Sequence, residues 1–221
     1  MDFNFYKKSI EIYFNNYSWN KNNLESILKQ SWELATINYS KSSIKYHTNN
    51  DLTVNVDWNN LDQSVYLLYF SSRIAFESGD VNMASNFYRL NRMLNAVDIF
   101  YEVILPIHTM FVHPVGTVLG RAKFNDYLVV YQGVTVGSDL SGNFPNLLGQ
   151  NVLFSNSSIL ANSILGVNAC LSAKSNAYNL DIPADHYLKN DGKIHLLKDP
   201  TRGGVATVLS EIARDSKLGI D

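Results

Sequence analysis

Residues 118–177 read VLGRAKFNDYLVVYQGVTVGSDLSGNFPNLLGQNVLFSNSSILANSILGVNACLSAKSNA, and an apolar residue returns along them at every sixth position. One run is Val118, Phe124, Val130 and Val136; a second is Leu147, Leu153, Ile159, Leu165, Leu171 and Ala177. Neither the helical period near 3.6 nor the strand period of 2 gives a six-residue return over this length. A hexapeptide repeat does, because each hexad forms one short flat strand and a turn of a parallel β-helix. Three hexads make a triangular coil of roughly 18 residues with one apolar side chain per hexad pointing into the shaft. The neighbouring residues are small or turn-forming, among them Gly120, Gly133, Gly137, Gly149, Asn156, Asn162, Gly166 and Asn168. Gly and Asn tolerate the left-handed backbone such corners need.

Between the two runs, residues 138–146 (SDLSGNFPN) break the register, since Leu147 follows Val136 by eleven positions. A loop protruding there can wall a site that flat coils cannot. Upstream, residues 1–105 read as helical, with a polar interruption over 40–57. The spacing predicts a helix over 61–76, capped by Asn59 or Asn60 and closed by Gly79, and a second over 83–103, ended by Pro106. Downstream, 184–198 is polar and irregular. Val205, Val208, Leu209 and Ile212 then predict a short C-terminal helix. The chain divides into a helical domain (1–105), a β-helix domain (106–183) and a linker with a helical tail (184–221); the fold class is α+β.

With 221 residues, 46% hydrophobic and 17% charged, the chain buries a real core and carries no signature of disorder. A net charge of −2 argues against binding nucleic acid through phosphates. A single cysteine, Cys170, excludes an internal disulfide and reads as a structural residue beside Leu171. The beginning MDFNFYKKSI has no signal-peptide plan and no apolar run is long enough to span a membrane, so a soluble cytoplasmic protein is expected. No metal signature, Walker loop or Gly-x-Ser-x-Gly elbow is present.

Five histidines are candidates for acid–base work: His47, His108, His113, His186 and His195. His113 stands out because it opens HPVGTVLG at the start of the coils, with Pro114 fixing the backbone after it. A catalytic imidazole gains from a carboxylate that holds its tautomer. Asp98, fifteen residues back, competes with Glu102 for that role, although both fall inside the expected helix over 83–103.

HPVGTVLGRAKFNDYLVVYQGVTVG, with SILGVNACLSAKSNAYNLDIP further on, resembles the left-handed β-helix of bacterial serine O-acetyltransferases, within the hexapeptide acyltransferases. The likeness covers about residues 60–183. It implies a left-handed coil, acetyl-CoA as co-substrate, and homotrimers or a dimer of trimers. It also implies His113 as general base within H-x-x-G-x-x-x-G, with Asp98 of Val97-Asp98-Ile99 as its partner. By the same resemblance, Ser155, Asn156 and Ala173 match the CoA-binding coils. Where the family holds serine with an aspartate before the histidine and an Arg-His pair in the loop, this chain has Val112, Asn143 and Phe144. These positions carry no charge here; the resemblance implies acetylation of serine or a related small hydroxyl compound, with a sugar in surface-polysaccharide synthesis or a non-catalytic scaffold as the other readings. Separately, DPTRGGVATVLSEIA resembles a segment of the hydrogenase-maturation dehydratases and their aminoimidazole ribonucleotide synthetase relatives; the likeness covers about thirty residues and lacks that fold's ATP-binding half.

Overall fold

The computed structural model describes residues 2–14, 21–41 and 53–196. His47 and the C-terminal tail, with its expected helix and its second likeness, lie outside them. Four helices come first: α1 (Phe3–Phe14), α2 (Lys21–Ser40), α3 (Leu61–Glu77) and α4 (Val81–Asn95). α3 forms where the spacing places it. Asn60 caps it, its side-chain oxygen accepting the N–H groups of Asp62 and Gln63. α3 is buried along most of its length, from Gln63 to Ser72, and packs against α2, α4 and the second strand of the β-helix. Its aromatic residues belong to the core: Tyr66 stacks near Tyr39 and Phe70, and the Tyr69 hydroxyl donates to the Val103 carbonyl.

α4 is shorter than its apolar spacing suggests. Ala96 adopts a left-handed conformation (φ +52°) and ends the helix at Asn95. Residues beyond it enter β1 (Asp98–Ile99), which pairs in parallel with β3 (Val118–Leu119). The expected helix over 83–103 is thereby corrected, and Asp98 stands on a strand.

From there the chain winds as a left-handed parallel β-helix with three faces. Face one stacks β1, β3, β6 (Thr135–Gly137), β9 (Ser158–Leu160) and β12 (Asn176–Tyr178). Face two stacks β4 (Lys123–Phe124), β7 (Asn146–Leu147), β10 (Ile164–Leu165) and β13 (Asp181–Ile182). Face three stacks β2 (Thr109–Val112), β5 (Leu128–Tyr131), β8 (Asn151–Leu153), β11 (Cys170–Leu171) and β14 (His186–Leu188). A last strand, β15 (Ile194–Leu196), turns back antiparallel on β14.

The register aligns the apolar residues into three columns inside the shaft. Ile99, Leu119, Val136, Ile159 and Ala177 form one. Phe124, Leu147, Leu165 and Ile182 form the second, and Phe111, Val130, Leu153, Leu171 and Leu188 the third. One position of the six-residue frame is wrong. Val118 is 38% exposed, and its neighbour Leu119, fully buried, points inward. The frame also extends further at both ends, to Ile99 and Leu188. It escapes notice there because the spacing slips, with eight positions separating Phe111 from Leu119 and five separating Ala177 from Ile182.

Asn151 is the buried amide of the coils with its groups paired, whereas the buried hydroxyls of Ser157 and Ser172 have no partner among the described residues. Asn151 receives the Gly149 N–H and donates to the Gly166 and Ala169 carbonyls. Truncating the middle of a column leaves a void in the shaft. Leu153→Ala is expected to lower stability by about 2–5 kcal/mol, read from urea unfolding midpoints.

Candidate functional site

The turns between faces three and one stack into a continuous edge. Backbone bonds join it coil by coil: the Gly116 N–H donates to the Ala96 carbonyl, Gly133 to Val115, Asn156 to Gln132, and Lys174 to Ser155, each at 2.9–3.0 Å. His113 therefore shares one edge with Ser155, Asn156 and Ala173. The structure also adds Lys174, which sequence reasoning missed. Three coil steps of about 4.8 Å put Lys174 roughly 14 Å from the His113 turn.

His113 is exposed and holds a left-handed backbone (φ +48°). Few non-glycine residues take that conformation without support. The turn closes through the Val115 N–H to the His113 carbonyl (2.8 Å) and the Thr117 N–H to the Pro114 carbonyl (3.1 Å), with Pro114 buried beneath. The His113 N–H donates outside the β-helix, to Asp62 Oδ1 in the first turn of α3, at 2.9 Å. Half-burial raises the Asp62 carboxyl above its ordinary value, opposed by that hydrogen bond and by the charge of the His113 ring. Asp62 lies 51 positions from His113 in the chain, so no motif or period announces the contact.

Asp98 takes part in a different set of bonds. Its carboxylate accepts the Tyr88 hydroxyl (2.7 Å) and lies 3.7 Å from the Arg92 guanidinium, on face one one strand beyond the His113 turn. The Tyr88 hydroxyl is raised above its ordinary value, first by burial and then by its bond to Asp98. Glu102 is exposed after β1.

Asn143 and Phe144 sit on the opposite edge of face one, in the loop between β6 and β7. Asp139 ties that loop, accepting the Asn143 backbone N–H and side-chain amide, both at 2.9 Å. These bonds, the side-chain one foremost, hold the Asp139 carboxyl below the usual range. The Arg121 guanidinium lies over the Phe144 ring at 5.2 Å. Face one separates this pair from His113 within the chain.

Val112 is half-buried on the outer side of face three and pairs with Tyr131, which stacks on Phe154 at 5.2 Å. Met110, Val129, Val152 and buried Cys170 continue the same apolar face. Burial pushes the Cys170 thiol up to about 12, so it stays protonated and inert near neutral pH.

The remaining described histidines have other partners. His108 Nδ1 meets both oxygens of Asp126 at 2.8–2.9 Å and stacks on Tyr127. His186 Nδ1 bonds the Ala184 carbonyl, and His195 stacks on Tyr187. Among the described residues no group of three or more His, Cys, Asp or Glu could hold a metal ion, and no helix is long and apolar enough to cross a membrane.

No protein-family model matches the chain, and no curated protein matches it in sequence. Solved structures do match it in fold. The serine acetyltransferase of Brucella abortus strain S19 superposes with a TM-score of 0.62 at 16% identity, over 75% of this chain and 69% of that one. The serine acetyltransferase of Neisseria gonorrhoeae gives 0.63 at 18% identity, over 78% and 70%. A serine acetyltransferase in complex with CoA gives 0.60 at 16%, over 77% and 75%. The class the fold defines is thus a helical domain followed by the hexapeptide β-helix found in serine acetyltransferases.

The edge itself is testable. Gly133 has φ +65°, and a Cβ there would stand 2.3 Å from Asn156 Oδ1. Gly133→Ala is expected to cost about 1–3 kcal/mol in a denaturant titration and to displace Asn156 on the edge next to His113.

Proposed function

We propose that the chain is an acetyl-CoA-dependent O-acetyltransferase that acetylates a small hydroxyl compound, with His113 as general base. The observation that carries this reading is the placement of His113 on an exposed, braced turn at one end of the edge formed by Ser155, Asn156, Ala173 and Lys174. The shared fold with serine acetyltransferases, one of them in complex with CoA, supports it.

Acetyl-CoA would lie along that edge. Backbone groups and the small side chains of Ser155 and Ala173 let an extended chain approach closely, and the Lys174 ammonium would meet a phosphate. His113 takes the proton of the acceptor hydroxyl as its oxygen attacks the thioester carbonyl. The tetrahedral intermediate collapses, the carbon–sulfur bond breaks, and the imidazolium returns the proton to the departing thiolate. Backbone N–H groups of the edge would steady the oxyanion. Asp98, the partner that the resemblance implies, would hold the His113 tautomer alongside its contacts with Tyr88 and Arg92.

The loop of Asn143 and Phe144 reaches an acceptor at His113 only from a neighbouring copy, because face one separates them within a chain. That, and the apolar outer side of face three from Met110 to Cys170, supports a homotrimer or a dimer of trimers. Serine is the acceptor suggested by the shared fold. A sugar hydroxyl is the second reading, favoured by Phe144, whose aromatic face suits a sugar ring better than a free amino acid's charges. A soluble, cytoplasmic enzyme is the setting in which both acceptors and acetyl-CoA are at hand.

Release of free thiol from acetyl-CoA, measured with L-serine and then with nucleotide sugars, tests the reading. One acceptor is expected to turn over, and His113→Ala to lower kcat by about 100- to 10,000-fold with acetyl-CoA binding retained. Equal rates for wild type and His113→Ala would remove the general-base assignment. No turnover with either acceptor, together with unchanged CoA binding by His113→Ala, would leave a β-helix scaffold.

A further inference from the structure

We propose that Asp62 is a positioning residue for His113: its carboxylate braces the left-handed turn that presents the imidazole, and its charge favours the imidazolium formed as the acceptor proton is taken. This rests on the reading of His113 as general base.

The geometry gives Asp62 this place through the backbone. The His113 N–H points away from the coils, and Asp62 Oδ1 receives it at 2.9 Å. A left-handed conformation costs an ordinary residue about 1–2 kcal/mol, so the turn holds only while its surroundings over-determine it. The β-helix supplies two of those constraints through Val115 and Thr117, and α3 supplies the third.

Asp62 is itself fixed. Its own N–H is bound to the Asn60 side chain at 3.0 Å, and it opens a helix that is buried from Gln63 to Ser72. Two groups face its carboxylate from other elements: His113 from the β2–β3 turn and Tyr39 from α2. His113 is the one that can carry positive charge.

The position is also an unfavourable one for a residue chosen only for stability. Half-burial raises the Asp62 carboxyl, so the folded protein ionises it less readily than the unfolded chain does. The associated stability is fully present below the unfolded carboxyl value and is lost as pH rises through the folded one. Ionising Asp62 in the fold therefore carries a desolvation cost, which an asparagine would avoid while still accepting the His113 N–H. Charge kept against that cost next to a candidate base is the pattern of a functional group.

Val112 sharpens the point. The residue immediately before His113 is not an acid, and Asp98 already contacts Tyr88 and Arg92. The carboxylate in contact with the His113 turn comes from the helical domain, so helix and coil are coupled at the reacting residue.

The test uses the full chain with Asp62→Asn and Asp62→Ala, and three readouts. By NMR, the wild-type His113 amide proton is expected to shift as the Asp62 carboxyl titrates, and Asp62→Asn to abolish that transition. With acetyl-CoA and L-serine or a nucleotide sugar, Asp62→Ala is expected to lower kcat by about 10- to 100-fold, with the KM for acetyl-CoA little changed. Asp62→Asn, which keeps the acceptor oxygen but not the charge, should fall between. In thermal unfolding at pH 7, Asp62→Asn should be at least as stable as wild type, the difference vanishing at pH values below the carboxylate range. A wild-type kcat for Asp62→Ala, or a His113 amide blind to the Asp62 titration, would overturn the proposal. If wild type turns over neither acceptor, the general-base reading fails on its own, and the amide titration still decides whether Asp62 braces the turn.

Discussion

Each coil of this protein must place one apolar side chain from each strand face into the shaft. That constraint, repeated at the strand spacing of about 4.8 Å, sets the register of every strand pair. A slip of one residue would turn Val136, Ile159 and Ala177 outward together and bring Thr135 and Ser158 inward. The columns are therefore far more tightly specified than the corners. Corners have only to turn the chain, and the left-handed conformation falls there on Asn, Lys, Gln and Ala as well as on glycine.

The same contrast explains what could be read from the chain alone. A six-residue return survives in sequence because burial enforces it, and it revealed the β-helix without any helix or strand signal. It failed where the coil carries extra residues. Between Phe111 and Leu119 the spacing grows by two, and those residues form the His113 turn; between Val136 and Leu147 it grows by five, and those form the loop of Asn143 and Phe144. The two lengthened breaks in the frame thus coincide with the two segments that leave the shaft.

Other features left no trace in the pattern. Leu90, Leu94, Val97 and Tyr101 recur at helical spacing, so the period extends α4 into β1. The single left-handed Ala96 decides otherwise, and alanine gives no warning of it. Asp62 is invisible for a different reason. In sequence it is an acidic residue in the first turn of a helix, where the macrodipole already welcomes one. Only the packing of α3 on β2 brings it to His113.

That packing also bears on why a helical domain is present at all. The coils stack through their own backbone bonds, yet the His113 N–H is bound by a residue from α3. Tyr66 donates to the Ile107 carbonyl and Asn38 to the Thr109 carbonyl just upstream. These three bonds tie α2 and α3 to the segment that leads into His113, across separations of 41, 71 and 51 residues. The helices therefore act on the site through the first coil, where the frame is irregular and the shaft constrains the chain least. The first coil is where contacts from outside the solenoid reach the backbone that directs an imidazole, and it is where His113 stands.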